Sequence, residues 1–182
     1  MCRDQDLVRR LRRGVVSALR RIYETYKADL LTVAAYVTGD PSAAEDVLHD
    51  VFLAFAARTD RLNARKSLRS YLVTCVTNRA RDVMRAKHRR REGYAGGPDV
   101  VEGATSTPSS PPAEAVRREG ARAVREALLA LPQEQREVIA LHLHGSLTFR
   151  EIAERQGVSI NTAQSRYRYG IERLRAVLDE ET

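Results

Sequence analysis

Apolar residues recur along this chain at spacings of three and four, the period of a helix with one buried side. The first stripe predicts a helix opening at Val15, with Val16, Leu19, Ile22, Tyr23, Tyr26, Leu30, Val33, Ala34 and Val37 on one side and Gly39 at its end. Asp40 followed by Pro41 predicts the next start, the carboxylate capping and the proline in the first turn, where its missing N–H costs nothing. That helix turns Ala44, Val47, Leu48, Val51, Phe52 and Phe55 inward. A third stripe, Leu68, Tyr71, Leu72, Cys75, Val76, Ala80 and Val83, runs on into the basic sequence KHRRR.

The pattern then lapses. Residues 93–112 hold four of the ten glycines and four of the six prolines, with no Lys or Arg. Such a segment cannot bury a core and reads as a flexible linker. Helix returns near Ala113 with Val116, Val124, Leu128 and Leu131 inward, breaks at Pro132, and resumes from about Gln133 to His144 before Gly145 stops it. The expected fold class is all-α: two small helical domains, residues 15–92 and 113–179, joined by the 93–112 linker.

The final stretch, Leu147 to Leu178, has the local signals of a helix-turn-helix. Thr148 and Glu151 stand three apart as a capping box, Ile152 and Ala153 allow a close crossing, and Gly157 supplies the turn that Val158 plugs. Ser159 caps a second helix whose inward stripe is Ile160, Ala163, Tyr167, Ile171, Leu174 and Leu178. The remaining side presents Asn161, Thr162, Gln164, Ser165, Arg166, Arg168 and Tyr169, groups able to reach base edges and phosphates in a major groove. A solvated helical hairpin is the plainer reading of the same residues.

Charge sharpens that choice. The 182 residues carry a net charge of +7, which favours a polyanionic partner. The positive charge is unevenly spread. No Lys or Arg lies between Lys27 and Arg58, and the helix after Pro41 exposes Glu45, Asp46, His49 and Asp50. Asp46 and Asp50 repel one another one turn apart, so an unneutralised acidic face awaiting a basic partner is the functional reading, and a solvated face the plainer one. A metal site at Asp46, His49 and Asp50 lacks the matching ligands that a di-iron bundle needs on other helices. From Arg61 to Arg91 the sign reverses. Arg61, Arg65, Lys66, Arg69, Arg79, Arg81, Arg85, Lys87, Arg89, Arg90 and Arg91 face a single acid, Asp82, which favours a phosphate-binding surface around Asn78.

Other chemistry is thinly represented. Cys75 falls on a predicted apolar stripe as a buried thiol, no CxxC pair occurs, and His142 and His144 are two apart on a helix with rings diverging. Neither a catalytic centre nor a cofactor is expected. No apolar run is long enough to span a bilayer, so the expectation is a cytoplasmic protein without membrane insertion.

Three motifs in this order resemble a bacterial RNA polymerase sigma factor of the extracytoplasmic-function type: AEDVLHDVFLAF at Ala44–Phe55, SYLVTCVTNRARDVMRAKHRR at Ser70–Arg90, and the sequence from Leu131 to Leu178. The resemblance implies a non-enzymatic protein that brings core RNA polymerase to promoter DNA and helps open the duplex. Glu45, Asp46, His49, Asp50 and Phe52 would dock on the clamp of the largest subunit. Asn78, which matches the family's usual asparagine, would engage the −10 element with Arg79, Asp82, Arg85, Arg89 and Arg90. Asn161, Thr162, Gln164, Ser165, Arg166, Arg168 and Tyr169 would read −35, beside the flap of the second-largest subunit. An anti-sigma factor is the remaining partner class. Two positions depart from the family: Tyr71 stands where Trp is frequent, and Gln164 where a basic residue is usual, which favours adenine over guanine. The competing class is a stand-alone helix-turn-helix repressor or activator, for which the chain shows neither a zipper nor a sensory domain.

Overall fold

The computed structural model describes residues 2–57, 67–93 and 122–180, and all its secondary structure there is helical. The expected linker beyond Gly93, the positions Arg61, Arg65, Lys66 and Val116, and the side chains of Arg91 and Leu178 lie outside what is described.

The chain begins with a helix that the apolar pattern did not announce, α1 (Cys2–Arg12). Leu7, Val8 and Leu11 are buried on the following helix, and the Tyr26 hydroxyl donates to Asp4 at 2.8 Å. Burial and that acid together push the Tyr26 phenol up.

α2 (Val16–Thr38) is the long central element, in contact with α1, α3, α4 and α6. Its buried stripe starts at Ala18 and passes through Ile22, Tyr26, Leu30, Val33, Ala34 and Val37. Val16, expected inside, is 76% exposed, because it stands two residues before Ala18 and so on the opposite side. Gly39 ends the helix at φ 71°, donating its N–H to Ala35, a backbone state in which L side chains are strained.

α3 (Pro41–Ala57) begins as expected: Asp40 Oδ1 accepts from the Ser42 N–H at 3.0 Å. Its six expected inward residues are all buried. α4 (Leu68–Gly93) buries Leu68, Leu72, Val73, Val76 and Ala80, and extends through Gly93, the residue at which the linker was expected to begin.

The second half contains α5 (residues 122–129), α6 (Gln133–Leu143), α7 (Phe149–Gln156) and α8 (Ile160–Glu180). Ala127, Leu128, Leu131, Ile139 and Leu174 form a small core of their own, while Val124 is partly exposed at the start of α5. The capping box is present: Thr148 accepts from the Glu151 N–H, and Glu151 accepts from the Thr148 N–H at 2.8 Å. Thr148→Ala is expected to cost about 1 kcal/mol, read as a lowered thermal midpoint, and an unchanged midpoint would contradict that role.

The two halves do not stand apart. Val138, Leu141, Leu147, Ile152, Ala153 and Ala163 join the same apolar cluster as α2, α3 and α4, with α6 laid along α2. Val138 and Leu141 are fully buried, and each contributes roughly 1.5–3 kcal/mol by leaving water. Polar ties flank this contact. Arg136 donates to the carbonyl of Tyr36 at 2.6 Å, and Arg69 donates both to Asp29 at 2.6 Å and to the carbonyl of His144 at 2.7 Å.

Candidate protein and nucleic-acid interfaces

Three surfaces carry the residues singled out by sequence. On α3, Glu45, Asp46 and His49 are exposed, since the buried stripe occupies the opposite side of the helix. Asp50 is different. Arg79 on α4 donates to its Oδ2 from Nε at 3.0 Å and from Nη2 at 2.7 Å, so this carboxylate is not left unneutralised. Both side chains remain nearly half exposed, and because solvent screens the pair it contributes at most about 1 kcal/mol. Phe52, expected on this surface, is buried in the core, its ring meeting that of Tyr23 edge-on with centroids 4.9 Å apart. The apolar member of the surface is instead Leu53, 58% exposed and in helical register with Asp46, His49 and Asp50. Sequence reasoning passed over it, although its spacing of four from His49 was the available signal.

Among the described residues, no group of three or more His, Cys, Asp or Glu is placed to hold a metal ion. His142 is absorbed structurally: its ring stacks on Phe149 at 4.5 Å, meets Tyr167 edge-on, and its Nδ1 lies 2.9 Å from the carbonyl oxygen of Leu147. Burial raises the Cys75 pKa, which keeps the thiol protonated and unreactive.

The outer side of α4 presents Asn78, Arg79, Asp82, Arg85, Arg89 and Arg90 to solvent. Asp82 accepts from Arg85 one turn on, and Lys87 approaches Asp40 at 3.8 Å. The basic side chains at the far end of α4 therefore outnumber their acids, and a cationic strip results. It borders an open groove between α4 and α6 lined by Arg81, Met84, Arg85, His88, Arg89 and Gln133. Arg81 itself is turned across the boundary between the halves. Its guanidinium pairs with Glu137 of α6 and donates to the carbonyl of Arg155 at 2.9 Å.

The third surface is the first turns of α8. Ser159 Oγ accepts from the Thr162 N–H at 3.1 Å, and Gly157 closes α7 at φ 65°, so both ends of the turn are satisfied locally. Ala163, with no exposed surface, is the contact that seats α8 against Ile152 and Ala153 of α7. Ile160, expected inward, is 39% exposed. Asn161, Thr162, Gln164, Arg168 and Tyr169 are exposed, while Ser165 and Arg166 are half-buried. Arg166 donates to Gln156 Oε1 at 2.6 Å, which ties it to α7 and pre-orients it. The Arg168 guanidinium lies over the Tyr169 ring, 5.0 Å from its centroid, and 4.0 Å from Glu172. Further along, Gly170 permits the close crossing of α8 and α6: a Cβ there would stand 2.7 Å from Ile139 Cδ1.

Comparison with known proteins matches the geometry. Residues 22–90 match the family model for sigma-70 region 2, and residues 121–174 that for sigma-70 region 4. The chain is 32% identical over 135 residues to the ECF RNA polymerase sigma factor RpoE of Cereibacter sphaeroides, spanning 74% of this chain and 71% of that one. It is 28% identical to the ECF RNA polymerase sigma factor SigK of Mycobacterium ulcerans across 95% of this chain and 92% of the relative. The probable RNA polymerase sigma factor RfaY of Xanthomonas campestris is 29% identical over 92% of this chain, which spans only 41% of RfaY. Among solved structures, CnrH in complex with the cytosolic domain of CnrY superposes with a TM-score of 0.66 at 22% identity, covering 98% of this chain and 99% of that one. RpoE of Bartonella quintana, solved with the anti-sigma factor NepR, gives 0.69 at 21%, covering 88% and 96%, and both likenesses speak to the fold alone. With both conserved regions matched in order on an all-helical scaffold, this chain belongs to the sigma-70 family, as an RNA polymerase sigma factor of the extracytoplasmic-function type, a non-enzymatic protein that directs promoter-specific initiation of transcription.

Proposed function

We propose that the chain divides the work of initiation among the three surfaces described. The α3 surface of Glu45, Asp46, His49, Asp50 and Leu53 docks on the basic clamp of the largest polymerase subunit. Asn78, Arg79, Asp82, Arg85, Arg89 and Arg90 on α4 engage the −10 element and hold the opened non-template strand, bases stacking out of the duplex while arginines grip the backbone. The exposed side of α8 lies in the major groove at −35, beside the polymerase flap. The polymerase-binding and −10 unit runs from α1 through α4, and the −35 unit from α5 through α8. The observation that supports this most directly is the juxtaposition on neighbouring helices of an exposed acidic surface and a cationic strip, two surfaces fit for two different partners. A cytoplasmic location follows from those partners. Among the described residues, no helix is long and apolar enough to cross a membrane.

The fold shared with CnrH and Bartonella RpoE, each solved with a binding protein, supports an anti-sigma factor as a further partner.

The deciding experiment is run-off transcription with purified core polymerase and genomic promoter fragments. Specific transcripts dependent on this chain are expected. Binding to the fragments with no transcript, and repression of another holoenzyme, would replace this reading with a stand-alone repressor. Within the −35 surface, Arg166→Ala is expected to weaken duplex binding by roughly 1–3 kcal/mol and to relax preference at one base pair. Equal loss on every sequence would make Arg166 a backbone contact.

A further inference from the structure

The Arg81–Glu137 pair joins the two halves of the chain at a place that matters for the −10 surface. Arg81 follows Asn78 by three residues and precedes Arg85 by four, so all three lie on one stripe of α4. It also lines the open groove together with Arg85, His88 and Arg89. A guanidinium fork accepts a carboxylate or a phosphate in the same planar geometry. Glu137 supplies that carboxylate from α6: its side chain is only 5% exposed, whereas that of Arg81, which lines the groove, is 27% exposed. The other Arg81 donor is spent on the carbonyl of Arg155, which fixes the guanidinium's orientation independently of Glu137.

Building on the −10 assignment above, we propose that Arg81 is an additional phosphate seat of the −10 groove and that Glu137 of the −35 half occupies it as an internal phosphate mimic. The seat is then filled in the free chain, and a DNA strand entering the groove must displace a carboxylate from it. The −35 half thereby tempers single-strand binding until the groove is engaged in earnest.

The test is the affinity of the full-length chain, without polymerase, for a short fluorescein-labelled single-stranded DNA, followed by anisotropy across a salt series. Glu137→Gln keeps the shape of this buried side chain but removes its charge. It is expected to tighten binding about tenfold and to steepen the dependence of log K on log salt by about 0.7, the increment for one more phosphate contact on a single strand. Adding Arg81→Gln to that variant should abolish both gains. Glu137→Asp, which retains the charge but withdraws it by one methylene, should show the same sign with a smaller gain, and circular dichroism melts confirm that each variant folds. Unchanged affinity and slope in Glu137→Gln would overturn the mimic, and gains that survive Arg81→Gln would overturn the seat. Failure of run-off transcription by the unaltered chain would overturn the sigma-surface assignment separately, since this binding assay contains no polymerase.

Discussion

Replacing Asp46 and Asp50 together with lysine is expected to abolish core-polymerase binding while leaving the helical content intact. Both side chains point away from the α3 stripe that fills the core, so the fold loses little. Against a basic clamp, however, each substitution turns an attraction into a repulsion. Breaking one close interfacial charge pair typically costs about 2–5 kcal/mol, so two reversals together move the dissociation constant by at least about three orders of magnitude. The single variants should differ in character. Asp46→Lys acts on docking alone, whereas Asp50→Lys also releases Arg79 from its ion pair and so alters the α4 surface. Anisotropy of labelled protein titrated with core polymerase reads both effects, and an unchanged dissociation constant in the double variant would remove α3 from the docking surface.

The second large effect is expected at Gly145, where the chain leaves α6 for the helix-turn-helix. Its N–H donates to the carbonyl of Ala140, and a Cβ at this position would lie 2.5 Å from the carbonyl oxygen of Leu141. That obstacle is backbone and cannot rotate aside. Gly145→Ala must therefore open the last turn of α6 or shift the following strand of chain, at a cost of about 2 kcal/mol or more. The same turn presents the His144 carbonyl to Arg69, so the tie to the first half is strained along with it. A fall in the thermal midpoint of about 4–8 °C should accompany weaker −35 duplex binding. A midpoint equal to that of the parent would show that the turn relaxes freely.

Legibility followed the range over which each interaction acts. The helix-turn-helix could be read from the chain because its parts are local: Thr148 caps the turn that contains Glu151, Gly157 takes the left-handed backbone, and Ser159 caps three residues ahead. Stripe ends were less legible. Val124 and Ile160 keep the helical period yet stay exposed at the starts of their helices, and Val16 lies off the buried stripe of α2; periodicity alone does not say which end residues a neighbour covers. α1 was missed for another reason: Leu7, Val8 and Leu11 have helical spacing, but three apolar residues among many arginines make too short a stripe to announce a helix.

Partners distant in the chain were beyond any such reading. The pairing of Asp50 with Arg79 spans 29 positions, and that of Arg81 with Glu137 spans 56. Each pairing depends on which sides of two helices meet. The Gly- and Pro-rich segment led to an expectation of two helical domains joined by a flexible linker, and α6 of the second packs along α2 of the first. The linker's composition describes only the linker, and the buried faces of Val138 and Leu141 decide whether the halves dock.

The existence of α2, α3, α4, α6, α7 and α8, the caps at Asp40, Thr148 and Ser159, and the kind of charge each surface carries could thus be read along the chain, because backbone hydrogen bonding and the 3.6-residue period act between near neighbours. Which charges are spent within the molecule, and which stay available to DNA or polymerase, was settled only by packing. Crossing helices bring Arg79 to Asp50 and Arg81 to Glu137, and Coulomb attraction acts on distance in space, whatever the separation along the chain.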